Sequence, residues 1–212
     1  MRAREGLSEE NPLALKRFPF EVAAAQPRSS TFQLASLLEQ FYRATREANK
    51  LVLGRSAEDL TNRWEPGSWS VTECVDHLAR TRLSFLPAIS RAIATAPKLA
   101  MNRPLRTGPI SLLLIRNLEP PYRLRYKVIP QLVPQETDFE AAWSNFEKSQ
   151  SQLSEAVQSA AGLAIDKVKV QCPVYPRMTY NVYGAFRILA AHERRHLWQM
   201  QQILAALEQK RS

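Results

Sequence analysis

The segment Ala191–Met200, AHERRHLWQM, carries two of the three histidines in the chain, His192 and His196. They stand four residues apart, just over one helical turn, so on a helix both rings leave the same face. The third histidine, His77, lies in Val71–Ala79, VTECVDHLA. Two protonated rings one turn apart repel each other, whereas a divalent ion binds neutral imidazoles and makes their proximity favourable. Three protein nitrogens also leave coordination positions open for water or substrate, the catalytic arrangement rather than the closed structural one. His77, His192 and His196 are therefore expected to meet around one metal ion.

The residues from His192 to His196 also spell HExxH, which in zinc proteases supplies two ligands and a glutamate base. The longer form of that motif fails here, because Gln199 and Gln202 stand where glycine and histidine are needed. No edge strand is expected that could hold a peptide substrate, so the protease reading is set aside. Glu193 projects about 100° from His192; it is carried as a catalytic candidate beside the metal, with simple solvation as its alternative. Gln199, three residues past His196, can face the open side of the ion and is the second catalytic candidate. Trp69 and Trp198 are candidate pocket walls, and Thr81 is a candidate hydroxyl one turn beyond His77. Glu73 precedes His77 by four, yet its expected task is capping.

Four amphipathic helices would position these groups. The first is expected over Thr31–Leu53, with Leu34, Leu37, Leu38, Phe41 and Val52 at helical spacing and Gly54 as a stop. Ser70-x-x-Glu73 is a capping box that opens the second, running to about Thr95 with His77 on its inward side. Thr137-x-x-Glu140 reads as another box, opening a third helix to about Ala161. The fourth starts near Thr179 or Asn181 and runs to about Glu208, with both its histidines within the apolar stripe. Residues 97–136 are interrupted by prolines from Pro97 to Pro134, with a short helix expected at Ser111–Leu118. A connection this long permits the following helix to run parallel to the preceding one. A short extended piece is expected at Lys167–Val170, with no strand pairing. The fold class is all-α, a four-helix bundle over residues 31–212 preceded by an N-terminal extension, 1–30.

Composition narrows the partners. The chain has 212 residues, 45% of them hydrophobic, and no apolar run approaches the roughly 20 residues of a membrane helix. The charged N-terminus lacks the apolar core of a signal peptide, so a soluble, cytoplasmic protein is expected. Two cysteines are no disulfide framework; Cys74 reads as a small buried hydrophobe and Cys172 as a loop residue with no CxxC partner. The net charge of +9 is concentrated in Lys98–Lys127. That stretch reads as a solvated flank or as an anion-attracting rim near a site. No nucleic-acid motif or aromatic ladder accompanies it, so the expected partner is a small molecule rather than nucleic acid.

The pattern Trp69-Ser70-x-x-Glu73-x-x-x-His77-Leu78, followed by His192-Glu-Arg-Arg-His196-Leu-Trp-Gln199 near the C-terminus, resembles the DinB-like superfamily of metal-binding four-helix bundles. The resemblance covers about residues 31–208. It implies an up-up-down-down order with the long crossover between helices 2 and 3, zinc or nickel on the histidine triad, and a homodimer. Its members include thiol-dependent S-transferases and isomerases that use low-molecular-weight thiols, and metal-dependent hydrolases. Three functions follow as expectations: thiol-dependent S-transfer to a small electrophile first, metal-dependent hydrolysis second, and a non-catalytic metal-binding or dimerisation module third. Neither the first 30 residues nor the basic, proline-rich crossover is explained by the resemblance.

Overall fold

The computed structural model describes residues 29–121 and 127–211. The N-terminal extension expected over 1–30 lies outside them apart from Ser29 and Ser30, which begin the first helix. Helix α1 spans Ser30–Val52, and its Ser29 cap accepts the Phe32 N–H. It buries Leu34, Leu38, Phe41, Ala48 and Val52 along one stripe, as the spacing requires. A short helix, α2 (Ala57–Thr61), follows; its Leu60 carbonyl accepts the Thr72 hydroxyl at 2.9 Å. Helix α3 spans Val71–Ala94 and opens on the expected Ser70–Glu73 capping box.

Helix α4 (Pro109–Leu118) lies within the proline-rich connection. Helix α5 spans Phe139–Ser159, but its cap is Asp138, whose side chain accepts the Ala141 N–H at 2.8 Å. The box expected between Thr137 and Glu140 therefore does not form. The aspartate one residue later is the better-placed acceptor, and the Thr137 N–H turns to the Glu136 carboxylate at 3.0 Å. Helix α6 spans Val182–Gln209, capped by Asn181.

Strand β1 (Lys169–Gln171) pairs antiparallel with β2 (Thr179–Asn181), placing Val170 opposite Tyr180. The expectation of no strand pairing is thus corrected. Three-residue strands are too short to display an alternating pattern, so only the pairing itself reveals them.

The four long helices pack so that α1 and α3 each lie against both α5 and α6. Cross-links give their directions. Arg55 and Glu208, just past or near the C-terminal ends of α1 and α6, pair at 2.6 Å, so these two helices run parallel. Lys210 beyond α6 donates to the Trp64 carbonyl ahead of α3, while Phe85 late in α3 stacks on Tyr180 just before α6. Helices α3 and α6 are therefore antiparallel. Asp76, early in α3, accepts the Gln135 N–H ahead of α5 at 2.8 Å, and Arg82 reaches Ser149 at 3.1 Å, so α3 and α5 run parallel. The chain order is up-down-down-up rather than the up-up-down-down order expected. The long crossover does join parallel helices, but the connection carrying α2 reverses the chain first. Among the described residues no helix is long and apolar enough to cross a membrane.

Two features discipline the packing around α6. A Cβ on Gly184 would stand 2.2 Å from the buried Ser111 hydroxyl, so only glycine lets α4 approach α6 this closely. Within the apolar interior Arg82 and Glu193, 1% and 2% exposed, pair at 2.9 Å. The Arg82 guanidinium also donates to the Phe146 carbonyl and the Ser149 hydroxyl and lies 4.2 Å from the centre of the Phe146 ring. A buried pair adds little net stability over apolar substitutes, but removing one partner strands a charge. Arg82→Met is expected to cost about 3–5 kcal/mol in urea unfolding, and adding Glu193→Leu to it should recover a substantial part of that loss.

Candidate metal centre

The three histidines are brought together by the antiparallel contact of α3 and α6. Ser70 and Glu73 cap each other's N–H groups at 3.2 and 2.8 Å, which fixes the first turn of α3. His77 follows seven residues after Ser70, almost two full turns, and so faces α6. Its Nδ1 lies 2.7 Å from the Leu132 carbonyl oxygen. A carbonyl only accepts, so the ring proton sits on Nδ1 and Nε2 keeps its lone pair. That Nε2 is 3.3 Å from Nε2 of His192, which in turn is 3.1 Å from Nε2 of His196.

The ligand atoms of the three rings all lie within 4.8 Å of one another. Nitrogens bound tetrahedrally to one zinc ion at 2.0–2.1 Å stand roughly 3.3 Å apart. The rings thus have the donor type and the spacing that a divalent ion requires, and His77 has its Nε2 lone pair turned to the other two.

Burial tunes the rings toward metal binding. His77 and His196 are buried, while His192 is partly exposed toward a cavity. Desolvation pushes the pKa of His77 below the ordinary imidazole value and those of His192 and His196 well below it. The neighbouring rings and the Arg195 charge add to the effect on His192 and His196. Neutral imidazole, the form that binds metal, is therefore the resting state at neutral pH.

The Trp69 ring covers the site, its centroid 4.8 Å from that of His77 and 5.9 Å from that of His196, nearly parallel to the latter. The expected wall is in place, and the tryptophan-to-histidine spacing has a physical meaning: a cover, a cap and a ligand in register.

The triad opens into a cavity of about 740 Å³ that reaches the surface at Glu65 and Gly67. Gln199, Trp69, Trp198 and Thr81 line it. The Gln199 side chain lies beside His196 and favours its charged form. Cys172, assigned no role from its spacing, lines the cavity too.

Glu193 does not join the lining residues. It is turned into the ion pair with Arg82, and burial raises its pKa. The position that a protease would give to its base is therefore occupied by a packing interaction.

Two contributors were not anticipated. Asp76 accepts from Arg80 at 2.7 Å and from the backbone N–H groups of Gln135 and Glu136 at 2.8 and 3.2 Å. It fastens the segment whose Leu132 carbonyl holds His77. Arg195, only 7% exposed, lines the cavity between the two α6 histidines. Its spacing was informative, since it lies three residues from His192 and four from Gln199, on their face of the helix.

The sequence profile of the DinB superfamily matches residues 40–200, a span that contains all three histidines. No curated protein and no solved structure matches the chain.

The depressed imidazole pKa values set a stability signature. Below the unfolded-state value of 6.5, the unfolded chain takes up protons that the folded site refuses, so the metal-free protein loses stability as pH falls through that value. Each imidazole contributes up to about 1.4 kcal/mol per pH unit. The raised Glu193 carboxyl acts in the opposite sense and blunts the slope at the acid end. Urea unfolding of chelator-treated protein between pH 5 and 8 should show this fall, and His192→Leu should make it shallower.

Proposed function

This chain belongs to the DinB superfamily, and from that premise we propose that it is a metal-dependent enzyme that transfers a low-molecular-weight thiol to a small electrophile. The observation that carries the proposal is the convergence of three imidazole nitrogens on the wall of a largely apolar cavity open to solvent. A zinc or nickel ion held by His77, His192 and His196 would supply a fixed positive charge that favours a thiol's reactive thiolate form.

The rest of the chemistry belongs to the chain. The Leu132 carbonyl holds the His77 ring in the tautomer that presents Nε2. Trp69 covers two of the rings and keeps bulk water from that side. The apolar walls at Phe85, Leu114 and Leu189 can hold the body of an electrophile against the triad. A volume of about 740 Å³ lies within the usual range for organic ligands.

Hydrolysis asks for a base near the attacking water. Among the described lining residues the one carboxylate is that of Glu65 at the exposed mouth, and Glu193 is engaged with Arg82. Thiol transfer asks for no such base once the thiol is ionised, which is why it is preferred.

Elemental analysis of the purified protein should find about one divalent ion per chain, as three histidine ligands imply, and little in His77→Ala or His192→Ala. With cysteine or glutathione as the thiol and a reactive electrophile as acceptor, conjugation above background should vanish in both variants and on chelation. A metal-loaded protein that conjugates no thiol defeats the S-transfer reading.

A further inference from the structure

We propose that the hydroxyls of Thr81 and Tyr180 form a polar seat in the apolar part of the cavity, and that this seat takes the carbonyl oxygen of an uncharged, otherwise apolar guest. The inference rests on the cavity being the ligand site of the function proposed above, and it adds the chemical class of the acceptor molecule.

The Thr81 hydroxyl departs from what a helix offers it. Thr45 on α1 and Ser154 on α5, both buried, donate to the carbonyls one turn back, those of Phe41 at 3.2 Å and Gln150 at 2.9 Å, the usual resort of a helical hydroxyl. Thr81 on α3 is as buried, 5% exposed, yet its Oγ1 has no hydrogen-bond partner. A buried hydroxyl left unbonded is costly, and Thr81 lines the cavity one turn beyond His77.

A second hydroxyl belongs to the same stretch of wall. Tyr180 of β2, also 5% exposed, lays its ring nearly parallel to that of Phe85, the centroids 6.4 Å apart, and Phe85 follows Thr81 by one turn on α3. The Tyr180 hydroxyl meets no oxygen or nitrogen among the described residues. Its neighbour is the thiol of Cys172, a weak hydrogen-bonding atom. Burial pushes the phenol pKa up, so the group stays protonated and able to donate. The surrounding wall, at Phe85, Leu114, Ile188 and Leu189, is apolar. Two neutral hydroxyls bring no charge to compensate an ionised guest, whereas a carbonyl oxygen has two lone pairs and accepts from both.

Acetophenone and ethylbenzene share a ring and a two-carbon arm and differ at the carbonyl. They are titrated into the full-length protein as purified and followed by ligand-observed NMR. Tyr180→Phe and Thr81→Val are each expected to weaken acetophenone binding about fivefold, as the loss of one hydrogen bond implies, and to leave ethylbenzene binding within about twofold. The double variant should weaken acetophenone further. Chelator-treated protein should show the same variant effects, which separates the hydroxyls from any contact of the ketone with a metal ion. In wild type the infrared carbonyl stretch of bound acetophenone should lie below its position in an aprotic solvent, a readout that needs no variant to fold, and it should move back toward that position in the variants.

No binding of acetophenone by wild type, acetophenone binding unchanged in the variants, equal losses for the two probes, variant effects that vanish on chelation, or a bound carbonyl stretch at its aprotic position overturns the proposal. The probes need no turnover, so the functional reading is judged separately. Protein that conjugates a thiol but fails these tests keeps that reading and loses the seat. Protein that holds acetophenone through both hydroxyls but conjugates no thiol loses the reading and keeps the seat.

Discussion

The structure depends on holding three imidazole nitrogens about as close as metal ligands stand, within a mostly apolar wall. Polar rings so placed lose hydration and gain little from one another, so their positions must be imposed by the surroundings. Helix α3 supplies one ring and α6 two, which makes the antiparallel contact of these helices the central requirement. The Ser70–Glu73 cap sets where α3 begins. Asp76 draws in the 132–136 segment by two backbone N–H groups, and Leu132 in that segment orients His77. Each restraint is local and ordinary; together they decide where a ring nitrogen points.

On α6 the same logic works through rotation about the helix axis. His192, Arg195, His196 and Gln199 share the cavity face, whereas Glu193, about 100° round from His192, reaches Arg82 in the interior. Turning α6 enough to swing the rings away would pull Glu193 from its partner and leave two buried charges unmatched. The ion pair therefore acts as a rotational lock for the metal-ligating face. Gly184, nearer the start of the same helix, lets α4 close against it over Ser111, which restrains the helix from another side.

Much of the arrangement was legible in the residues. The triad could be read because three histidines at inward helical positions are hard to account for singly, and the boundaries of α3 because a capping box is a short-range signal. Glu193 was misplaced by its motif: HExxH suggested a base beside the metal, and spacing alone could not show that Arg82 faces it from another helix. Arg195 was assigned no role, although its helical position puts it with the ligands. Helix directions were missed because they depend on what a loop does as a whole, here a reversal through α2. The Leu132 carbonyl carried no signal, since any residue could supply a backbone oxygen.

The distribution of charge around the core connects the fold to the proposed chemistry. Carboxylates near the site are committed to fixed partners: Asp76 to Arg80, Glu193 to Arg82, Asp166 to Arg103 and Glu119 to Arg194. Arg103, from the basic crossover, is consumed in one of these pairs. Of the described basic residues in the crossover, Lys127 is the one that lines the cavity. With these acids paired elsewhere, the one carboxylate among the described lining residues is that of Glu65 at the mouth, and much of the remaining wall is apolar. Such a lining offers little help to a reaction that needs a carboxylate base. The acids stabilise the scaffold by pairing with arginines, and that same pairing defines what the cavity can do.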